Sequence, residues 1–433
     1  MNILYIHTHD TGTYIEPYGR GVATPHLMAL AREGILFRHA YAAAPTCSPS
    51  RSALLTGMWP HAAGMLGLAH RGFALSDPRK HLAHYLGEQG METVLCGMQH
   101  ESKNRSELGY GRVLSPGREA GDFNEIDRRN AHRVAEYLAQ EKNRPFFLSF
   151  GMSNTHRPFP LAKGDPGYAG VPDSLYDSPQ NRADMAGFQT AVTNADDCVG
   201  IVLDALRESG LDRETVVLFT TDHGIAFPGM KCNLYDAGIR VALILKIPGH
   251  FGGKMVSDAL VSHLDIFPTL CDLLEIEKPQ WLQGTSLLPL LQGQRESVRE
   301  DLFAEVTYHA AYEPMRGIRT ARYKLIRLYN GLDQAVPANL DDGPAKDFVI
   351  THGWLDQTRA PVQLYDLYLD PVERVNLAGD RRYETVLRDL DRRLERWMRE
   401  TRDPLLDDKR APKPEGAVVN RQSCLSPEEL DFE

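Results

Sequence analysis

Short apolar runs alternate with amphipathic stretches along the first two thirds of the chain, and that alternation predicts a sheet covered on both faces. "ILYIH" (3–7) has the unbroken hydrophobic character of a buried strand. "TPHLMALAREG" (24–34) places Leu27, Leu30 and Ala31 on one helical face, with Thr24 as its cap and Gly34 as its stop. The rhythm recurs as a helix at "HLAHYLGEQG", a strand at "ETVLCG", a helical stretch around 126–142 and a strand at "PFFLSFG" (145–151). A long helix over 185–210 feeds "TVVLFTTDHG" (215–224), and "RVALILKIPG" (240–249) precedes a helix over 264–276. Continuous β-rich runs between helices indicate a parallel, doubly covered sheet. Beyond about residue 300 the pattern changes. "MRGIRTARYKLIRLYNG" (315–331) predicts two strands turning near Thr320–Ala321, "VQLYDLYLDP" (362–371) adds a third, and a charged amphipathic helix runs near 382–402. The expected fold class is α/β. A large, mostly parallel sheet sandwiched by helices occupies residues 1–300, and a smaller antiparallel α+β subdomain with a Pro-rich tail occupies 301–433.

Composition narrows the function. A chain of 433 residues with 42% hydrophobic and 24% charged residues is ordinary for a soluble enzyme. The formal charge of −10, with no Lys/Arg block, argues against a nucleic-acid partner, while a few local cations still suffice for an anionic substrate. No apolar run is long enough to cross a bilayer, and the opening "MNILYIHTHD" reads as a strand rather than a leader. The six cysteines (47, 96, 198, 232, 271, 424) are scattered without a C-x-x-C pair, which suits reduced thiols. The expectation is a cytoplasmic protein without a membrane partner.

Ligands of parallel sheets sit at the carboxyl ends of the strands. "HTHDTG", "GMQHE", "NTHRP" and "TDHG" each follow a predicted strand, so four strand ends bring His or Asp to one edge. Asp10, Asp222 and His223 form a sensible divalent-metal set, with His9 as a fourth ligand. Alternation along "YIHTHD" points His7 and His9 the same way, so one of the two also reads as a core histidine. Each Asp alone also reads as a turn cap, and Asp265 in "HLDIFPTL" reads as a helix cap.

The stretch "PTCSPSRSALLTG" (45–57) sets a proline two residues after Cys47 and Arg51 four residues after it. An isolated cysteine is usually a small buried hydrophobe. Here "CSPSR" with "LLTG" resembles the signature of the type I sulfatases, the formylglycine-dependent branch of the alkaline phosphatase superfamily. "ATPHLMALAREGILFRHAY", "TTDHG", "YDAGIRV", "SHLDIFPTL" and "LYDLYLDPVERVNLA" follow in the family's order. A narrower resemblance, to the sulfamidases, is carried by "CSPSRSALLTGMWPHAAGMLGL", "GIAFPGMKCNLY" and "EPMRGIR".

The resemblance implies that a formylglycine-generating enzyme converts Cys47 to an aldehyde, whose hydrate both attacks sulfur and joins the metal ligands. A position at the start of a helix favours the anionic nucleophile and substrate. By resemblance Arg51 holds the gem-diol and the metal-site charge, and His100 takes a proton from the spare hydroxyl. His156 touches the sulfuryl group and protonates the leaving atom, and Lys231 clamps a sulfate oxygen. His309, Arg316 and Arg240 are substrate-side candidates. The family metal is Ca²⁺, but the imidazoles of His9 and His223 make Mn²⁺ or Zn²⁺ rivals. The implied partner is a sulfated small molecule or sugar, the implied assembly a homodimer, and the loop over 160–182 is expected to shape the substrate mouth.

Three departures from the family pattern bear on substrate. His9–Asp10 replaces two adjacent Asp, and Asp222–His223 replaces Asp-Asn. Gly97–Met98–Gln99–His100 replaces Gly-Lys-x-His, so one sulfate-contacting lysine is missing. The Asp-His pair also resembles the phosphonate monoester hydrolase and choline sulfatase branches. Three readings therefore stand: a sulfatase acting on a sulfamate or sulfate ester of an amino sugar, a phosphonate monoester or phosphodiester hydrolase, and a sugar-anion binding protein with a decayed site. Intact Cys47, Arg51, Asp10, Asp222, His100 and His156 argue against the last.

Overall fold

Successive residues of β1 (Asn2–Thr8) enter opposite cores: Ile3 and Tyr5 join one apolar cluster, Leu4 and Ile6 the other. A strand buried on both faces cannot alternate apolar with polar, so its segment reads as an unbroken apolar run. The computed structural model describes residues 1–117, 119–249, 255–329, 331, 333–406 and 410–433. Among them the large sheet has nine strands. They are β1, β2 (Ile35–Tyr41), β3 (Glu92–Gly97), β4 (Arg112–Val113), β5 (Phe146–Gly151), β6 (Thr215–Thr221), β7 (Arg240–Val241), β8 (Leu243–Lys246) and β9 (Met255–Ser262). The order is β4-β3-β5-β1-β6-β8-β2-β7, with β9 paired to β2. The block from β4 to β6 is parallel, whereas β8 runs antiparallel to both β6 and β2.

Helices Cys47–Thr56, Leu82–Glu88 and Ile266–Leu273 cover one face, and Pro25–Glu33, Phe123–Leu138 and Pro179–Glu208 cover the other. The last of these starts at Pro179 rather than near 185, because Ser178 caps it, accepting from Asn181 N–H, and Pro179 fills its first position. Thr24 stands at a helix start without capping it. Its hydroxyl accepts from Glu16 N–H, while Glu16 accepts from Thr24 N–H.

The small sheet runs antiparallel in sequence order through β10 (Leu302–Tyr308), β11 (Tyr312–Arg319), β12 (Tyr323–Leu328) and β13 (Val362–Asp366). Helix Glu384–Glu400 turns Leu390, Leu394, Trp397 and Met398 inward. Trp397 stacks on Phe303 and meets Trp59 edge-on, so this subdomain braces the segment that follows the Cys47 helix. The tail wraps rather than dangles: Leu405, Ala411 and Val419 are buried and Asn420 bridges to Ala311. Asn330, in the predicted strand pair, and tail residues 407–409 lie outside the described residues.

Candidate active site

The order β3-β5-β1-β6 sets four parallel strands side by side, so the polar segments at their carboxyl ends converge. His100 follows β3, His156 follows β5, His9 and Asp10 follow β1, and Asp222 and His223 follow β6. Cys47 is the first residue of a helix that is buried on every side and aims its start at the same point. Ligand atoms of His9, Asp10, Cys47, Asp222 and His223 all lie within 4.8 Å of one another. His9 Nδ1 is 2.7 Å from Asp10 Oδ1 and 3.2 Å from Asp222 Oδ2, while His223 Nε2 is 3.3 Å from Asp10 Oδ1 and 3.4 Å from Cys47 Sγ. Donors at about 2.0–2.3 Å from one ion are spaced at such distances, so this set fits a divalent cation.

Neighbouring groups orient these donors. Asp10 adopts φ 49°, which Asp tolerates better than most residues, and its N–H donates to Asp222 Oδ1 at 2.8 Å. His223 Nδ1 is 2.9 Å from Gly224 O, which assigns the proton to Nδ1 and turns the Nε2 lone pair toward the cluster. Burial drops His9 to about 4 despite Asp222 and Asp10, so it is neutral and able to ligate at pH 7. Burial opposes ionisation of Asp10, but the Lys231 ammonium outweighs it and holds its carboxyl well below the usual range. Arg51 Nη2 donates to Asp222 Oδ2 and to Thr8 O, each at 3.0 Å. Its Nη1 meets His7 Nδ1 at 2.6 Å, and His7 Nε2 meets Ser149 Oγ. Of the two histidines on β1 and its end, His7 is thus the satisfied core residue and His9 the site residue.

His156 presents Nε2 to the site because its Nδ1 is 2.6 Å from Arg157 O. Its loop is clamped by buried Asp127, which accepts from the N–H groups of Ser153 and Asn154 and from Asn154 Nδ2 at 2.8–2.9 Å. Asp127→Ala orphans those two backbone N–H groups and is expected to cost about 2–4 kcal/mol and to lower kcat through His156. Urea unfolding beside steady-state kinetics checks both effects. Burial, aided by His9 and His70, holds the His100 imidazole well below its ordinary value, which keeps it a neutral base.

Two residues belong here that the motifs do not mark. His70 stacks on His100, with its Nδ1 2.8 Å from His100 Nε2. Asp341 pairs with Lys231 Nζ at 2.8 Å, and the same ammonium reaches Asp10 Oδ2 at 2.8 Å. His309 is buried beside this pair, since Lys231 and Asp341 are the main charges acting on it after burial.

The structure does not bring Arg240 or Arg316 to this cluster. Arg240 donates through Nε and Nη2 to Arg38 O and lines a separate cavity of about 690 Å³ with Arg20, Tyr14 and Asp173. Arg316 lies opposite Glu305 in the β10–β11 register and is fully buried, gripping Asp403 with Nε and Nη2 and the carbonyl of Val306 with Nη1. A guanidinium satisfied on all sides inside the fold has no donor left for a substrate. Arg316→Ala strands the Asp403 carboxylate and is expected to cost about 3–5 kcal/mol, read as a lowered urea midpoint. The joint change Arg316→Met with Asp403→Leu is expected to cost less than the single one. Asp265 is a cap, accepting from the N–H groups of Ser262 and Thr285.

The fold brings a helix-start cysteine and a set of carboxylate and imidazole donors able to hold a metal ion to one edge of the sheet. The sequence matches the Sulfatase family over residues 1–276, and the N-sulphoglucosamine sulphohydrolase C-terminal family over residues 229–348. This chain belongs to the sulfatase family, enzymes that hydrolyse sulfate esters and sulfamates. It is 32% identical to human N-sulphoglucosamine sulphohydrolase across 93% of this chain and 91% of that one. It is 28% identical to an ulvan-active sulfatase of Formosa agariphila across 93% and 81%. Among solved structures it shares its fold with BT4656 in complex with its substrate D-glucosamine-2-N,6-O-disulfate, at TM-score 0.75 and 19% identity over 93% of this chain and 98% of that one. The 2-O GAG sulfatase BT1596 gives TM-score 0.74 at 22% identity over 99% and 98%.

Proposed function

We propose that this chain is a formylglycine-dependent sulfatase that hydrolyses the N-sulfate of a glucosamine-type amino sugar. The observation that carries this reading is the position of residue 47, at a helix start inside the ligand cluster and 3.4 Å from His223 Nε2. Burial pushes the Cys47 thiol up, Lys231 pulls it back, and Asp10 and Asp222 push it further. A thiol so placed is a poor nucleophile at neutral pH, so the reading assigns the nucleophile to a modified side chain at this position. The likeness to human N-sulphoglucosamine sulphohydrolase along nearly the whole chain supports the sugar.

Formylglycine at position 47 supplies, as its hydrate, one hydroxyl to attack sulfur and a second to release sulfate. A divalent ion held by His9, Asp10, Asp222 and His223 supplies the charge that makes that hydroxyl acidic. The remaining work falls to the chain's own residues. Arg51 fixes Asp222 and adds positive charge behind the nucleophile. Lys231 is positioned to draw a sulfuryl oxygen, and His100 to take a proton at the nitrogen that His70 leaves free. His156, with its Nδ1–H held by Arg157 O, gives the leaving atom a proton from Nε2 when the ring enters the step as the imidazolium.

Two imidazoles among the donors favour Mn²⁺ or Zn²⁺ over Ca²⁺. Asp222–His223 and the missing lysine beside His100 keep a second reading, phosphonate monoester hydrolysis. Initial rates on N-sulfoglucosamine and on a phenyl phosphonate ester separate the two: the first reading requires kcat/KM to be higher for the sulfamate, and inactivity on both overturns the pair.

A further inference from the structure

A carboxylate, Asp341, stands between Lys231 and His156. Asp341 follows the short turn Pro337–Asn339, in the connection between β12 and β13. Its Oδ2 holds Lys231 Nζ at 2.8 Å, and its Oδ1 lies 4.0 Å from His156 Nε2. Asp10 Oδ2 stands equally 4.0 Å from that nitrogen. These separations are longer than a hydrogen bond, so His156 Nε2 faces both carboxylates without bonding either. An atom placed to one side of the line joining imidazole and Asp341 can lie within hydrogen-bond distance of both.

For a bound sulfate, a negative group beside the sulfate-clamping lysine is a cost. The cost has an offsetting use when the leaving atom carries hydrogen. An aryl sulfate departs as a phenolate and needs little help. A sulfamate cannot depart as an amide anion: as the S–N bond breaks, its electron pair stays on nitrogen and takes a proton there. Sulfur passes to the attacking oxygen; His156, entering the step as the imidazolium with its Nδ1–H held by Arg157 O, gives up its Nε2 proton, and the product is a neutral amine. At neutral pH that amine takes a second proton from water and becomes an ammonium.

We propose that Asp341 is a specificity-determining residue for nitrogen leaving groups, accepting the N–H of the sulfamate and facing the amine as it becomes cationic. This rests on the sulfamidase reading above. A carboxylate there favours amino-sugar sulfamates over sulfate esters whose leaving oxygen has no hydrogen to donate. Lys231 ties Asp341 in place, so the carboxylate is fixed before substrate arrives.

The test compares kcat/KM for N-sulfoglucosamine and for 4-nitrophenyl sulfate in the wild type, Asp341→Asn and Asp341→Glu, all fully matured and metal-loaded. Asp341→Asn is nearly isosteric, and its folding is checked by thermal melting. The sulfamate-to-aryl ratio is expected to fall about 10²-fold in Asp341→Asn and to recover in part in Asp341→Glu. A proportional loss on both substrates, or no loss on either, overturns the proposal and leaves Asp341 as a support for Lys231. A wild type active on the aryl sulfate but not on the sulfamate also overturns it, while leaving the sulfatase reading standing. Inactivity on both removes the two together.

Discussion

Cys47→Ala is expected to remove about 10⁴-fold or more of kcat while the protein stays folded. The side chain lost is one buried sulfur, a deletion that costs about 1 kcal/mol, so the melting temperature moves by only a few degrees. Neighbouring hydroxyls do not replace it. Ser48 Oγ accepts from Ala69 N–H, and Ser50 Oγ donates to Asp222 O, so the first is committed to the turn Ala69–Arg71 and the second to the end of β6. Arg51, His100 and Lys231 remain in the variant, so residual binding of substrate with lost turnover isolates the nucleophile. Cys47→Ser sharpens the readout. Serine offers one hydroxyl and no second to expel sulfate, so at most one sulfate per chain is transferred and kept, which whole-protein mass spectrometry detects.

Chelation is expected to produce the second-largest effect, abolishing turnover and lowering the melting temperature together. Asp10, Asp222 and Asp341 bring three carboxylates to a buried site in which Lys231 and Arg51 are their close cationic partners. A divalent ion bound there would turn that excess of negative charge into a net positive field suited to an anionic substrate. A ligand that binds only the folded chain stabilises it by RT ln(1 + [L]/Kd), about 2.7 kcal/mol at a hundredfold excess over Kd. Removal of the metal should therefore cost several degrees in a melting scan, and replacing it should restore both readouts. Mn²⁺ or Zn²⁺ is expected to restore more activity than Ca²⁺, because two of the donors are imidazoles. Equal recovery with Ca²⁺ would count against His9 and His223 as ligands.

Much of the candidate site was legible because its residues follow strands. An unbroken apolar run ending in "HTHD" or "TDHG" marks both a buried parallel strand and the end at which ligands collect, so Asp10, Asp222 and His223 could be read together. His100 and His156 follow the same logic. Cys47 was legible only through its frame of Pro49 and Arg51, since a buried cysteine by itself says nothing about chemistry. Arg316 misled because an arginine on a strand reads as surface or substrate charge. Its partners Glu305 and Asp403 arrive from another strand and from the tail, at sequence distances that no local pattern encodes.

Asp341 and His70 were missed for the converse reason. "NLDDGPAK" reads as turn chemistry and "GLAHRG" as an exposed loop. Only the packing of the small subdomain sets Asp341 against Lys231, and only the turn Ala69–Arg71 sets His70 against His100. The hydrophobic pattern does not single out β2, β9 or β10. β2 carries Arg38 and His39 at half-buried positions, and β9 carries Ser257 and Asp258 near the edge of the sheet. Polar residues at such positions break the apolar run by which the central strands are recognised.

The most direct test of the account is peptide mass spectrometry of the tryptic fragment His39–Arg51 from protein matured with a formylglycine-generating enzyme and active on substrate. The account predicts an aldehyde in place of the Cys47 thiol, in a fraction that tracks specific activity across preparations. An intact thiol in chains that hydrolyse sulfamate or sulfate ester at full rate would contradict it.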